Sequence, residues 1–196
     1  LVQAGLIPRL RKEFGNTEKD ILHVLVFSPR SHPLRQLTIE LARLSSDNAT
    51  KTARISEYES LLKQESNGHF NGLLNIFNIM LAEAPAQTEQ RLLLVIDQFE
   101  ELYTLAGRSD TEANIFVANL LEAANDSEGR IAIIIMLRSD FFDELTHRHK
   151  ALASICAKQK SLVGPPTEQG LRQAIAVPAS RAGHPLNEII VDQLVT

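Results

Sequence analysis

Three carboxylates follow an aliphatic run near the middle of the chain. Residues 92–96 are five consecutive aliphatic residues, a pattern typical of a strand that is buried on both faces of a parallel sheet. Asp97 follows this run directly, and Glu100 and Glu101 come shortly after it. Ligands of open α/β sheets bind at the carboxyl edge, where we expect these side chains. One carboxylate that holds Mg²⁺ and another that orients or deprotonates a water would serve phosphoryl transfer.

The same acids have a second, purely structural interpretation. Asp97 would then cap the next helix, and Glu100 and Glu101 would form its solvated first turn, where negative charge is favourable. An aliphatic run that ends in an aspartate is a short pattern, and taken alone it leaves both interpretations open.

A second aliphatic run, residues 131–137, predicts another fully buried strand, and Arg138 follows it. If the two strands are neighbours in one parallel sheet, Asp97, Glu100 and Arg138 converge on the same edge. Phosphoryl transfer needs such an arrangement, because Mg²⁺ and a guanidinium share the charge of the γ-phosphate. The planar guanidinium also binds phosphate oxygens in pairs. The alternative is an ion pair of Arg138 with Asp140 or Asp97 that needs no ligand.

Strands and helices alternate along the chain, which predicts an α/β fold with right-handed crossovers and a mostly parallel sheet flanked by helices. The predicted strands are 21–27, the run before Asp97, 131–137 and a weak strand at 160–163. The predicted helices are 1–11, 33–44, 55–64, 69–83, 111–125, 140–146, 148–157, 168–176 and one that starts at Pro185. Residues 46–54 are expected to form a loop, and Pro178 is expected to stop the helix before it.

Composition and charge narrow the class of protein. With 196 residues, 44% hydrophobic and 22% charged, the chain suits one globular domain or one domain and the start of another. No apolar stretch approaches the roughly 20 residues of a membrane span, so we expect a soluble protein. The net charge of −4 argues against a broad nucleic-acid-binding face.

Cysteine and histidine usage suggests no further catalytic centre. Cys156 is the only cysteine, which excludes an internal disulfide and a multi-thiolate metal site and, without a secretory leader, indicates the cytoplasm. No basic neighbour marks Cys156 as a nucleophile, and a buried thiol is predicted. His147 and His149 would point apart on a helix, so we expect surface histidines there rather than metal ligands.

Residues 97–102, Asp-Gln-Phe-Glu-Glu-Leu, resemble the Walker B segment of STAND NTPases. These proteins are the signal-transduction branch of P-loop ATPases, and this form is often found ahead of WD-type or TPR-type repeats. Residues 134–141 resemble the sensor 1 strand of the same group, in which an arginine follows the hydrophobic run and Asp-Phe comes shortly after. Residues 4–8 resemble the helix after the P-loop, 27–34 the second strand, and 163–183 the passage into the helical lid.

The resemblance implies a role for each matching residue. It makes Asp97 the Walker B carboxylate near Mg²⁺, Glu100 the water-orienting group with Glu101 as the next candidate, and Arg138 the γ-phosphate sensor. Pro165 and Pro166 match positions that touch the nucleotide base or sugar in the family. The implied cofactors are ATP and Mg²⁺.

One departure from the family pattern is serious. No Gly-x-x-x-x-Gly-Lys-Ser/Thr occurs in these residues, so the loop that cradles the phosphates is missing. We interpret the chain as a fragment that starts just after the P-loop, with residues 1–163 a partial P-loop NTPase core and 164–196 the start of a helical lid subdomain. The missing strand would lie between the sensor strand and the last strand of the sheet. Without it, this piece alone is expected to bind nucleotide poorly and to expose sheet edges.

The resemblance and the composition leave three hypotheses for the function. The leading hypothesis is an ATP-binding and ATP-hydrolysing switch module of a multidomain signalling or defence protein, with effector and repeat sensor domains as partners and a nucleotide-dependent oligomer as one outcome. The second is a non-catalytic protein-interaction scaffold that keeps the fold. The third, a DNA-dependent AAA+-type motor, fits least well because the chain is acidic and basic pore loops are not evident.

Overall fold

The computed structural model describes residues 2–14, 20–44, 48–83, 88–105 and 110–195. It divides into two compact units, Leu1–Ala157 and Lys158–Thr196. The sequence analysis places a boundary a few residues later, after position 163. The assignment of the two parts to a nucleotide-binding core and a helical lid stays a prediction.

The first unit is built on a three-stranded parallel sheet. Its strands are β1 (Asp20–Phe27), β2 (Glu89–Ile96) and β3 (Ile131–Ile135), and β2 lies in the centre. Phe27, Ile96 and Ile135 are in register across the sheet, so the three strands end at the same level. The predicted α/β fold with a parallel sheet and flanking helices is confirmed, and so is the pairing of the two aliphatic strands.

Ten α-helices surround the sheet or form the second unit within the described residues. In chain order they are α1 (Ile7–Phe14), α2 (Pro33–Ala42), α3 (Asn48–Lys63), α4 (Gly72–Ala82), α5 (Glu101–Thr104), α6 (Asp110–Ala124), α7 (Phe142–Arg148), α8 (Lys150–Gln159), α9 (Glu168–Arg181) and α10 (Glu188–Val195). A π-helical turn (Val2–Leu6) precedes α1, and a 3₁₀ turn (Ser139–Phe141) precedes α7.

Both faces of the central strand are covered, as the uninterrupted aliphatic run predicts. On one face Leu92, Leu94 and Ile96 join the main core, which α2, α3, α4 and α6 complete. On the other face Leu93 and Val95 pack with Ile7 of α1. Successive strand residues point to opposite faces, so a strand with no polar position between 92 and 96 needs apolar cover on both sides.

A buried asparagine joins three of the core helices. Asn119 of α6 has no solvent exposure, and its side-chain oxygen accepts the backbone N–H of Leu73 at 3.0 Å. Its amide nitrogen donates to the backbone oxygen of Leu62 at 2.9 Å. The side chain thereby satisfies a donor at the start of α4 and an acceptor near the end of α3, which would otherwise be buried without partners.

Several predicted elements differ from the structure. Helix α3 begins at Asn48, inside the stretch 46–54 that was expected to be a loop, and continues without interruption to Lys63. The weak strand predicted at 160–163 is absent from the described residues: Leu162 and Val163 lie in irregular structure and are 80% and 73% exposed. Polar residues were mistaken for a loop, and an apolar pair without a sheet partner was mistaken for a strand.

The second unit corrects two helix boundaries. Pro178 lies inside α9, which continues to Arg181, so the prediction that this proline stops the helix is wrong. Pro178 and Ala174, whose carbonyl loses its hydrogen bond, are both exposed, and water is able to replace that bond. The last helix begins at Glu188 and not at Pro185. In the first unit, Ala123 near the end of α6 is buried, whereas Ala124, the last residue of that helix, is exposed.

Candidate functional site

The chain leaves β2 through a turn that is bonded to both neighbouring strands. The backbone N–H of Asp97 donates to the carbonyl of Phe27 at 2.8 Å, at the end of β1. Two residues later, the N–H of Phe99 donates to the carbonyl of Met136 at 3.0 Å, just after β3. Gln98 lies between these bonds and has a left-handed backbone, with φ of 53°. The turn therefore determines where the following acids leave the sheet.

Asp97 is half-buried at this edge, and within the described ranges its carboxylate has no hydrogen-bond or ion-pair partner. It does not cap a helix. Helix α5 begins at Glu101 with Glu100 at its N-cap position, and no side chain makes a cap hydrogen bond there. The capping interpretation of Asp97 is therefore wrong, and its carboxylate is available to a cation.

The two glutamates face opposite neighbours. Glu101 accepts the backbone N–H of Arg30, in the loop after β1, at 3.0 Å. Glu100 accepts the backbone N–H of Arg138, after β3, at 3.4 Å. The acidic pair thus bridges the exits of both outer strands. Of the two carboxylates, that of Glu100 lies on the side of Arg138.

The Arg138 side chain is exposed and paired locally. Its guanidinium donates two hydrogen bonds to Asp140, at 3.2 and 2.8 Å, and lies 5.6 Å from the centre of the Phe141 ring. The hydrogen bond to Asp140 raises the pKa of Arg138, with smaller contributions from the charges of Asp140 and Glu100. The ligand-free ion pair considered as an alternative is therefore present. Exposed ion pairs are weak, and a phosphate that binds both guanidinium nitrogens competes well with Asp140.

The structure brings together four of the six residues singled out by the sequence. Asp97, Glu100, Glu101 and Arg138 share the carboxyl edge of the sheet in the first unit. Pro165 and Pro166 lie in the second unit, exposed and outside any helix or strand, and their contact with a nucleotide stays a prediction.

Two further residues of the edge were not singled out. Arg30 has a left-handed backbone, with φ of 53°, and provides the N–H that holds Glu101; Gln98 forms the turn between the two inter-strand bonds. The Ser-Pro-Arg sequence after β1 indicated a loop. Nothing in its pattern revealed that its amide would bind an acid 71 positions further along the chain.

A family model described as Novel STAND NTPase 1 matches residues 1–196, the entire chain. The chain belongs to this family. The resemblance to STAND NTPases is thereby confirmed, and the parallel sheet is consistent with an NTPase-like fold. Comparisons with curated proteins and with solved structures found no match. Within the described part of this STAND NTPase domain, no helix is both long and apolar enough to cross a membrane.

The donor set of the domain fits a nucleotide-bound Mg²⁺ better than a metal held by protein alone. Among the described residues no group of three His, Cys, Asp or Glu side chains is able to enclose an ion. Mg²⁺ in phosphoryl-transfer sites usually takes only one or two carboxylates, and waters and phosphate oxygens complete its shell. The carboxylate of Asp97, which has no partner among the described residues, meets that requirement.

The left-handed turn gives a prediction for stability. Gln98→Gly should raise the free energy of unfolding by about 0.5–1 kcal/mol, because glycine adopts positive φ without the strain of a side chain. Gln64→Gly is the control: Gln64 is also exposed and non-helical but lacks positive φ. Urea unfolding should show this control to be neutral or less stable. Equal destabilisation by both substitutions would contradict strain at position 98.

Proposed function

We propose that this STAND NTPase domain binds and hydrolyses ATP with Mg²⁺ and acts as a molecular switch in a multidomain signalling or defence protein. One observation carries the proposal: β2 and β3 are parallel neighbours that end level, and the backbone of Arg138 meets the carboxylate of Glu100 at that edge. Carboxylates beside a guanidinium at the carboxyl edge of a parallel sheet suit a triphosphate.

Asp97 is the residue that we assign to the metal. Its half-buried carboxylate follows β2 directly, and its backbone is held by Phe27 of β1. The turn fixes its direction before any ligand arrives, which limits the entropy lost on binding. When bound, Mg²⁺ neutralises charge on the phosphate oxygens.

Glu100 is the residue that we assign to the attacking water. Its single hydrogen bond to a described residue comes from the backbone N–H of Arg138, at the long distance of 3.4 Å, so most of its acceptor capacity remains. Glu101 is engaged at 3.0 Å with the loop after β1 and is better placed to hold that loop. The geometry therefore favours Glu100 over Glu101 as the water-orienting carboxylate.

Arg138 is the residue that we assign to the γ-phosphate. Without nucleotide its guanidinium pairs with Asp140. A γ-phosphate would draw it from Asp140, whereas a diphosphate would leave the pair intact. Because Asp140 and Phe141 belong to the turn that leads into α7, this exchange of partners would report the nucleotide state to the helices after β3.

The phosphate cradle is assigned to residues outside these 196, since no P-loop motif occurs among them. The outer edge of β3 has no strand partner in the described residues, and Ile133, Ile134 and Ile135 are only half-buried. An additional parallel strand there would cover this edge and carry the loop toward Arg138. The other partners of the proposed cytoplasmic switch are effector and repeat-type sensor domains of the same protein and, when ATP is bound, further copies of it.

A non-catalytic scaffold that retains the fold is the alternative function. The Arg138–Asp140 pair is the observation that favours it, because this pair satisfies the guanidinium without a ligand. A scaffold has no need of a half-buried carboxylate at Asp97 that lacks a partner in the described part of the chain. The two functions differ in whether the edge binds nucleotide, and titration separates them.

The deciding experiment is a titration of the full-length protein with ATP, with and without Mg²⁺. Asp97→Asn should weaken binding in Mg²⁺ by roughly 10–100-fold and change it little without the metal, since the amide is a poor Mg²⁺ ligand. Asp143→Asn is the control, because Asp143 is an exposed aspartate in the first turn of α7 and is not part of the proposed metal site.

Two outcomes would overturn the proposal. Absence of saturable ATP binding in the wild type would favour the scaffold. If removal of Mg²⁺ weakens ATP binding equally in Asp97→Asn and in the wild type, Asp97 does not bind the metal. In the same titration, Arg138→Ala should reduce the preference for ATP over ADP by roughly tenfold, as expected for loss of a charge-assisted phosphate contact.

A further inference from the structure

A cavity lies within the first unit. It has a volume of about 220 Å³ and lies beside the last residues of α5, the start of α6 and the end of α7. The described residues that line it are Tyr103, Asp110, Ala113, Asn114, Arg148 and His149. None of them belongs to the proposed nucleotide site.

His149 is buried, which corrects the expectation that both histidines of this segment lie at the surface. His147 is exposed, but His149 follows the last residue of α7 and is only 8% exposed. Its ring faces that of Tyr103, with the two ring centres 6.0 Å apart. Helical spacing suggested two outward side chains, whereas the helix ends at Arg148 and the next side chain turns inward.

Two polar atoms of this cavity lack partners. Nε2 of His149 and the hydroxyl oxygen of Tyr103 are both buried, and neither has a hydrogen bond to any described residue. A buried donor or acceptor without a partner destabilises a folded protein, because it has lost its hydrogen bonds to water and gained none in return. Polar groups of a ligand that reached these two atoms would satisfy them and so stabilise the bound protein.

Both groups are uncharged near neutral pH. Burial lowers the pKa of His149, and the charge of Arg148 lowers it further, while the charge of Asp110 opposes this shift. Burial raises the pKa of Tyr103 well above its ordinary value. The cavity therefore offers a hydroxyl that donates and an imidazole nitrogen that donates or accepts according to its tautomer.

The charged groups at the cavity are already paired with each other. Arg148 donates to Asp110 at 2.9 Å and to Glu144 at 2.5 Å, and its guanidinium lies 5.7 Å from the centre of the Tyr103 ring. A charged ligand would have to break these ion pairs. An uncharged ligand would leave them in place and satisfy the two buried atoms.

We propose that this cavity is a binding site for a small uncharged polar molecule that carries a carboxamide or hydroxyl group. The oxygen of a carboxamide would accept a hydrogen bond from the Tyr103 hydroxyl, and the N–H of the same carboxamide would donate to Nε2 of His149. The volume is several times the roughly 30 Å³ of one water and below the 300–1,000 Å³ of sites for drug-sized ligands. The site thus suits a molecule of a few heavy atoms.

The test uses acetamide as the probe, with acetate and methylammonium as charged molecules of similar size. Saturation transfer from the intact protein to each probe is measured by NMR as the probe concentration increases. Acetamide should bind saturably and at least roughly tenfold more tightly than either charged probe, because acetate meets Asp110 and methylammonium meets Arg148 in the cavity wall. Glycerol should compete with acetamide.

Variants assign the binding to the cavity. Tyr103→Phe keeps the ring but removes the hydroxyl. It should weaken acetamide binding by roughly fivefold, the effect of one neutral hydrogen bond. The control Tyr58→Phe alters another buried tyrosine, which interacts with Arg54 and lies outside the cavity, and should leave binding unchanged.

Absence of saturable acetamide binding to the folded wild type would overturn the proposal, and water would then fill the cavity. Equal affinity for acetate would overturn the assignment to uncharged ligands, whether or not the Tyr103 variant folds. Because these measurements require no nucleotide, their failure is distinguishable from failure of the proposed ATP site.

Discussion

Glu100→Gln in the full-length protein is expected to lower ATP turnover by roughly 10²–10³-fold, the range for loss of a general base. Binding of Mg²⁺-ATP should change little. The amide oxygen still accepts the N–H of Arg138, so the edge keeps its shape, but the amide cannot take a proton from water. Single-turnover hydrolysis measured beside equilibrium binding separates the two effects.

Glu101→Gln is the matched control for this prediction. The two glutamates are adjacent and both half-buried, but Glu101 holds the backbone of Arg30 in the loop after β1. An amide oxygen retains that bond, and turnover should fall by less than roughly tenfold. A larger loss in Glu101→Gln than in Glu100→Gln would reverse the two roles. If both variants hydrolyse ATP as fast as the wild type, neither glutamate activates the attacking water.

Asn119→Ala is expected to lower the free energy of unfolding by about 2–4 kcal/mol. The substitution leaves the N–H of Leu73 and the carbonyl of Leu62 buried without their side-chain partner, and it opens a cavity between three helices. Urea unfolding measures the loss. Asn78→Ala, an exposed asparagine of α4, serves as control and should stay within about 0.5 kcal/mol of the wild type.

The close approach of α3 and α4 explains why the helices around Asn119 are not expected to close over the cavity that Asn119→Ala leaves. Gly72, the first residue of α4, lies so near α3 that an added Cβ would be 2.3 Å from the carbonyl oxygen of Leu61. Backbones this close leave little freedom for the helices to close over a missing side chain. A loss below about 1 kcal/mol for Asn119→Ala would contradict this account and show that the junction repacks.

Much of the sheet and its edge was predictable from local pattern. The uninterrupted aliphatic run before Asp97 required a strand with apolar cover on both faces, and α1 and the main core provide it. The second aliphatic run predicted the neighbour of β2 that ends before Arg138, and the pairing of β2 with β3 confirms it. The expectation that this strand is fully buried over residues 131–137 is wrong, because β3 ends at Ile135 and only Ile131 of it is buried. Several segments resemble STAND NTPases in the same order along the chain, and this resemblance predicted membership of the family. The family match to the whole chain confirms it.

Other features were decided only by the tertiary structure. Which neighbour each glutamate faces depends on the loops after β1 and β3, and residue type does not encode that choice. His149 was expected at the surface of a helix, but α7 ends at Arg148 and the His149 side chain is buried. The position of Asn119 in α6 does not by itself define its partners in α3 and α4.

The physical reason is the range of each interaction. Hydrophobic patterning is local along the chain, so it predicted β2 and β3, the two-sided burial of β2 and the level at which the acids and the arginine follow these strands. The partners of Glu101 and Asn119 are 71 and 46 positions away, at the Arg30 and Leu73 amides. Such polar partners become defined only when the packed core brings distant backbone groups together, and the hydrogen bonds on either side of Gln98 arise in the same way.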